Sequence, residues 1–206
     1  NQNLTIACPK GRLEGNVVKY LSERGLIIEQ DFFNESVRKL TFDTNFKEIK
    51  VIKLKPSDIR SYIMLGAADI GFVGYDDILE NSSQNIVLLK KTNIGKCRIS
   101  IASDKKEINF SEKKIFKVAT KFQNISENYF RDLNIQTETI KLNGSIELAV
   151  KYQIADFILD LVQSGKTLKD NQLYENVIIN NDISTVIISS YCLLYTSPSP
   201  RDAESS

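Results

Sequence analysis

The stretch Phe157-Ile158-Leu159-Asp160-Leu161-Val162 constrains the fold more than any other in the chain. Its apolar density is that of a strand covered on both faces, which occurs where helices flank a parallel sheet. It passes directly into Gln163-Ser164-Gly165-Lys166-Thr167, small, hydroxylated and cationic residues standing where a helix can begin. Backbone N–H groups at a helix start lack intrahelical partners and form an anion site. Hydroxyls and a lysine strengthen it. Asp156 and Asp160 fall at a spacing that puts both on one face of the strand. A carboxylate beside such a loop suits a ligand with both hydroxyls and phosphate, and a sugar phosphate is the economical reading. The run matches neither G-x-x-x-x-G-K-[ST] nor G-x-G-x-x-G, so the nucleotide loops of those two patterns do not account for it.

Short apolar stretches alternate with amphipathic ones along the rest of the chain. The pattern predicts a strand over 4–8 and a helix over 13–24 that ends at Gly25. Strands follow at 39–43 and 49–54, then a helix over 56–65, opened by Pro56-Ser57-Asp58 with a cap-like residue and stopped at Gly66. A strand at 69–73 and a helix at 75–81 complete the first set. The second set has strands at 86–89, 98–102, 117–119 and 137–141, and helices at 123–133 and 145–152. Strands at 176–180 and 185–189 come last. This alternation predicts an α/β fold with largely parallel sheets. There is neither a fixed-period repeat nor a Pro/Gly-rich linker, so two lobes joined by strands are expected.

Composition narrows the chemistry. Histidine is absent, which excludes a Ser-His-Asp triad, an imidazole base and a histidine-ligated metal. The 27 basic and 26 acidic residues leave a net charge of +1, so no global field draws the chain to nucleic acid or to a membrane. Cys8, Cys97 and Cys192 are scattered and odd in number, unlike a disulfide framework or a zinc knuckle, which points to a reducing cytoplasm. No apolar run approaches the roughly 18 residues that span a bilayer, and no signal-peptide core opens the sequence.

Other strand ends carry candidate residues. Cys8 to Gly15, "CPKGRLEG", follows the first strand, and ligands of open α/β sheets gather at carboxyl ends of strands. Lys10, Gly11 and Arg12 would then stand at a cleft mouth, suited to phosphate; a solvated basic loop reads the same way. In "AADIGFVGYDD", Gly74 lets a ligand approach the backbone, or merely serves a tight strand–helix turn. Arg38, in "VRKL", reads as an arginine on a strand. Thr120 and Lys121 sit at a strand–helix junction. Glu147 falls in the first turn of a helix, where the macrodipole alone favours an acid.

These motifs, in this order, resemble the catalytic subunit of ATP phosphoribosyltransferase in its short form. The resemblance rests on "PKGRL", "VRKL", "GAADIGFVG", "CRISIA", "VATKF", "NGSIELA" and "ADFILDLVQSGKTLKDNQL", and covers residues 4 to about 185. It implies a two-lobed, periplasmic-binding-protein-like (type II) α/β fold with a central cleft. The expected boundaries are 1–88 for the first lobe, 89–175 for the second, 176–190 for strands returning to the first, and 191–206 for an atypical tail. It also implies attack of N1 of ATP on C1 of phosphoribosyl diphosphate (PRPP) with release of pyrophosphate, opening histidine biosynthesis. Arg12 and Arg38 would be catalytic, facing pyrophosphate. Gln163, Ser164, Gly165, Lys166 and Thr167 would cradle the 5-phosphate, and Glu147 and Asp160 would accept bonds from ribose hydroxyls. Lys10, with Gly11 and Gly74, would meet phosphate or ATP. Mg2+ would be carried mainly by the PRPP diphosphate, with no metal site of the protein's own. The implied partners are a second catalytic subunit and a regulatory subunit resembling a histidyl-tRNA synthetase, since the length fits the form without a histidine-binding domain.

The chain departs from the family pattern at Val150 and Gln153, where proline and glycine are common, at Tyr75 for lysine, and at Val186 for arginine. From 191 the sequence, "YCLLYTSPSPRDAESS", is foreign to that pattern, and disorder is expected from about 196. The rival reading is a solute-binding module that clamps a phosphorylated ligand and releases it unchanged.

Overall fold

A computed structural model describes residues 3–34, 36–82 and 85–191. The expectation for the tail from 196, and Cys192, lie outside these residues. In chain order the elements are β1 (Leu4–Pro9), α1 (Glu14–Ser22), a 3-10 turn (Gln30–Phe33), β2 (Thr41–Asp43), β3 (Ile49–Leu54), α2 (Pro56–Met64), β4 (Ile70–Gly74) and α3 (Tyr75–Glu80). Then come β5 (Ile86–Lys91), β6 (Cys97–Ser103), β7 (Phe116–Thr120), α4 (Gln123–Asp132), β8 (Thr137–Lys141) and α5 (Glu147–Lys151). The last are β9 (Phe157–Val162), α6 (Lys166–Asp170), β10 (Tyr174–Ile183) and β11 (Thr185–Ser190). The chain divides into two units, one of residues 1–75, 83–95 and 185–206, the other of residues 76–82 and 96–184.

The first unit is built on a six-stranded sheet, ordered β2-β3-β1-β4-β11-β5. β1 lies at its heart, parallel to β3 and β4, which is why its sequence is apolar toward both faces. α1 buries Val17 and Leu21, one helical turn apart, and ends where Gly25 turns at φ 84°, with Leu26 N–H reaching back to Leu21 C=O at 3.1 Å. α2 opens with Pro56 after Lys55 and gains no side-chain cap; Ser57 Oγ bonds Asp58 instead, so the expected capping does not occur. Ile59 and Ile63 of α2 are fully buried over β4. Gly71 makes that approach possible, because a Cβ there would lie 2.6 Å from Ile59 Cγ2. Phe32 and Phe42 meet edge-to-face at 5.0 Å in the same core, which gives the unpredicted 3-10 turn its anchor.

The second unit carries a five-stranded sheet, ordered β10-β6-β9-β7-β8. One face packs Ala102, Ala119, Ile158 and Val162 against Val150 of α5 and Leu168 of α6. Phe110, Phe116, Phe130 and Phe157 form an aromatic cluster with centroids 5.1–6.4 Å apart. β10 pairs along β6 in this sheet, so the boundary expected at 175/176 falls inside a strand of the second unit, and only β11 joins the first sheet.

The expectation of largely parallel sheets needs correction. Of the strand pairings among the described residues, four are parallel and five antiparallel. Strand–helix alternation does give parallel β3-β1-β4 and β8-β7-β9, each third strand landing beside the first. The chain passes between the units from β5 to β6 and from β10 to β11 with no helix between, and β6, β10 and β11 pair antiparallel. Both sheets then repeat one order: an antiparallel strand beside the third parallel one (β11, β6), and a further one outside it (β5, β10). This repeat has no counterpart in sequence period.

Candidate functional site

In the first unit, parallel β1, β3 and β4 bring their carboxyl ends to one edge of the sheet. Lys10 N–H donates to Leu54 C=O at 2.7 Å, tying the loop after β1 to the end of β3. Lys10, Gly11 and Arg12 are exposed there, beside Lys55, and Gly74 closes β4 at the same edge. Sequence reading passed over Lys55 because the helix-start residues Pro56-Ser57-Asp58 explained its surroundings without it. Arg38 is not on a strand, contrary to expectation: it is exposed in the irregular run that precedes β2. That run enters at the carboxyl end of β3, where Lys53 N–H bonds Leu40 C=O at 2.9 Å.

Lys53 links the two arginine-bearing segments. Its ammonium donates to Glu14 Oε1 at 2.9 Å and to Phe32 C=O at 2.6 Å, over the Phe32 ring. Buried Cys8 lies opposite it in the β1–β3 register. Burial, and then Glu14, push the Cys8 thiol up to about 12, so it stays protonated and is no nucleophile at neutral pH.

In the second unit, parallel β7 and β9 end beside one another. Gly165, at φ 76°, turns the chain from β9 into α6, a left-handed conformation that side-chain-bearing residues rarely adopt. Ser164 Oγ accepts Lys166 N–H at 3.3 Å, and the first helical bond comes only with Lys169 N–H to Gly165 C=O at 3.1 Å. Gln163, Ser164, Lys166 and Thr167 are exposed. α6 has only five residues, so its macrodipole is small and any anion held here depends on individual N–H groups, the Thr167 hydroxyl and Lys166.

Asp160, in β9, is half-buried. Burial raises its carboxyl above the ordinary aspartate range; Leu161 N–H and Lys121 pull it down, while Glu147 and Asp76 push it up. Asp76, from α3, is likewise raised by burial and lowered by Lys121. Asp76, Lys121, Glu147 and Asp160 therefore share one local field. Sequence reading found Glu147 and Asp160, noted Lys121 without a role, and missed Asp76, whose only signal was its place just after a strand-ending glycine. Asp156, expected to share a face of the strand with Asp160, precedes the strand, accepts Lys117 N–H at 2.9 Å and pairs with Lys113; its work is structural. The start of α4 is closed to ligands in another way: Glu80 accepts the Asn124 and Ile125 N–H groups at 3.0 Å each. Among the described residues no three potential metal ligands converge.

The two units thus present different chemistries: a basic strand edge in the first, and in the second a hydroxyl-rich loop beside partly buried carboxylates. The family pattern described as HisG, ATP phosphoribosyltransferase, matches residues 55–199, which carries it past residue 191, where the sequence was expected to leave that pattern. The ATP phosphoribosyltransferase of Clostridioides difficile is 41% identical over 82% of this chain and 80% of that protein. That of Brachyspira hyodysenteriae is 42% identical, over 82% of this chain and 81% of that protein. Among solved structures, the ATP phosphoribosyltransferase (HisG:HisZ) complex from Thermotoga maritima superposes with a TM-score of 0.77 at 29% identity, over 98% of this chain and 92% of that one.

Proposed function

The chain belongs to the ATP phosphoribosyltransferase family, and on that footing we propose that it joins N1 of ATP to C1 of PRPP and releases pyrophosphate, the first step of histidine biosynthesis. The lone pair of adenine N1 forms the new bond to C1 with inversion, and the C1–O bond breaks with its electrons leaving on pyrophosphate. Adenine N1 carries no proton to remove, so a chain without histidine needs no general base, and positioning and electrostatics carry the rate.

The N–H groups, hydroxyls and lysine of Gln163–Thr167 hold the 5-phosphate, and Asp160 and Glu147 orient the ribose by accepting its hydroxyl hydrogens. Arg12 and Arg38 meet the charge that grows on pyrophosphate. Lys10, Gly11 and Gly74 receive the ATP phosphates, with Lys55 on the same strand edge. The Mg2+ enters with the PRPP diphosphate as part of the substrate. A two-lobed, type II periplasmic-binding-protein-like arrangement with a central cleft belongs to the same proposal, supported by the strand order common to both sheets. So do a homodimer of catalytic subunits, a HisZ-type regulatory partner like that in the Thermotoga maritima complex, and a cytoplasmic location; no helix is long and apolar enough to cross a membrane among the described residues.

The observation that carries the proposal is the αL turn at Gly165, beside β9 with its partly buried Asp160. Incubation with ATP, PRPP and Mg2+, with and without the regulatory partner, tests it through pyrophosphate release and the mass of the N1-ribosylated nucleotide. PRPP binding with no pyrophosphate under either condition would favour the solute-binding alternative.

A further inference from the structure

The β6–β9 register sets Arg98 directly across from Val162, the last residue of β9, so its side chain emerges beside the loop that follows. Arg98 Nη1 donates to Gln163 C=O at 3.1 Å. Its other edge is gripped by Glu175 of β10, which accepts Nε at 2.5 Å and Nη2 at 2.6 Å. Ser100 Oγ, two residues along β6, donates to the same Glu175 Oε1 at 2.6 Å. Nη2 also lies 3.8 Å from where a Cβ on Gly165 would sit, so the guanidinium underlies the left-handed turn itself. The cation thus ties residue 163, just before the loop and α6, to residue 175, just after them. All three of its nitrogens bond to protein, and Glu175 balances its charge, so Arg98 is not itself a phosphate ligand.

We propose that Arg98, clamped by Glu175, is the positioning residue that holds the Gln163–Thr167 loop in its phosphate-accepting shape. This rests on the reading of that loop as the seat of the PRPP 5-phosphate. The fork geometry matters: a lysine can pair with Glu175, but its single ammonium cannot also bond the Gln163 carbonyl while two contacts fix its plane. With that carbonyl pinned, the loop backbone keeps one shape before any ligand arrives, and binding need not order it. The Glu175 carboxyl is held below the ordinary glutamate range, chiefly by its bonds from Arg98, which keeps the clamp ionised at neutral pH.

Arg98→Lys and Glu175→Gln in the full chain, assayed with the regulatory partner, test the brace. For Arg98→Lys the KM for PRPP should rise about tenfold, the loss that accompanies one charge-assisted hydrogen bond, with the KM for ATP within about twofold of wild type. Glu175→Gln, the milder change, should move the PRPP constant in the same direction and remains informative if Arg98→Lys folds poorly. Ribose 5-phosphate binding by calorimetry should weaken in parallel. A lowered Tm with both Michaelis constants unchanged, or wild-type affinity for ribose 5-phosphate in both variants, would overturn the brace. Failure of the wild-type chain itself to bind PRPP or ribose 5-phosphate would instead remove the loop reading on which the brace stands.

Discussion

Asp76 and Asp160 are acids held where water is scarce, and the carboxyl of each titrates above the ordinary aspartate range because burial disfavours its charge. Such a group binds its proton more readily folded than unfolded. Its effect on stability is therefore unfavourable as pH rises from the ordinary aspartate range through the raised value, and stays so at neutral pH. Asp76→Asn and Asp160→Asn should each raise Tm at pH 7, by roughly a few degrees, with the difference closing in acid below the ordinary aspartate range. Thermal melts at the two pH values check this, and a lowered Tm at pH 7 would count against it. Asp160→Asn should nevertheless weaken PRPP binding, stability rising as function falls. Gln153 is under backbone strain. It stands at φ 56°, where the resemblance leads one to expect glycine. Gln153→Gly should stabilise the chain by about 1 kcal/mol in urea unfolding. The loop residues 163–167 were legible in sequence because their chemistry is contiguous. Arg98 with Glu175, and Asp76 with Asp160, were not, since each pair is joined by sheet pairing or packing across some 80 residues of chain.

At the level of elements, apolar periodicity located almost every strand and helix within a few residues, because each is amphipathic or buried enough to carry its own period. It missed the 3-10 turn at Gln30–Phe33, whose stability comes from Phe32 packing on Phe42 rather than from local pattern. It also could not tell that β11 and β6 run antiparallel to their neighbours, since direction is set by which connection lacks a helix. The contact between α2 and β4 hangs on one glycine. Gly71→Ala would drive a methyl into Ile59 Cγ2 at 2.6 Å in a fully buried layer. The loss should be about 1–3 kcal/mol, seen as a lower midpoint in urea; an unchanged midpoint would show that α2 shifts freely on the sheet.

For the whole molecule, the division into units is unequal in a way that sequence order alone conceals. The second unit is nearly one continuous segment, 96–184, with residues 76–82 added through α3. The first is assembled from separate segments and is completed by β11, which lies between β4 and β5 and hydrogen-bonds to both. A chain ending at residue 184 should keep the second sheet's amide protection in hydrogen exchange and lose it in β4 and β5. Equal loss in both units would mean that they fold as one cooperative block.

The position of β11 also has a meaning during synthesis. About 110 residues separate the end of β4 from the strand that will lie against it, and a ribosome adds roughly 5 to 20 residues each second. For something between about 5 and 20 seconds, the nascent chain carries β4 with an unsatisfied backbone edge and a sequence, Ile70-Gly71-Phe72-Val73, that any passing strand could zip onto. The strand that completes the first sheet is also the one that ends its exposure to other newborn chains, so slow translation of 75–184 should translate directly into aggregates, and chaperone demand should peak before β11 emerges.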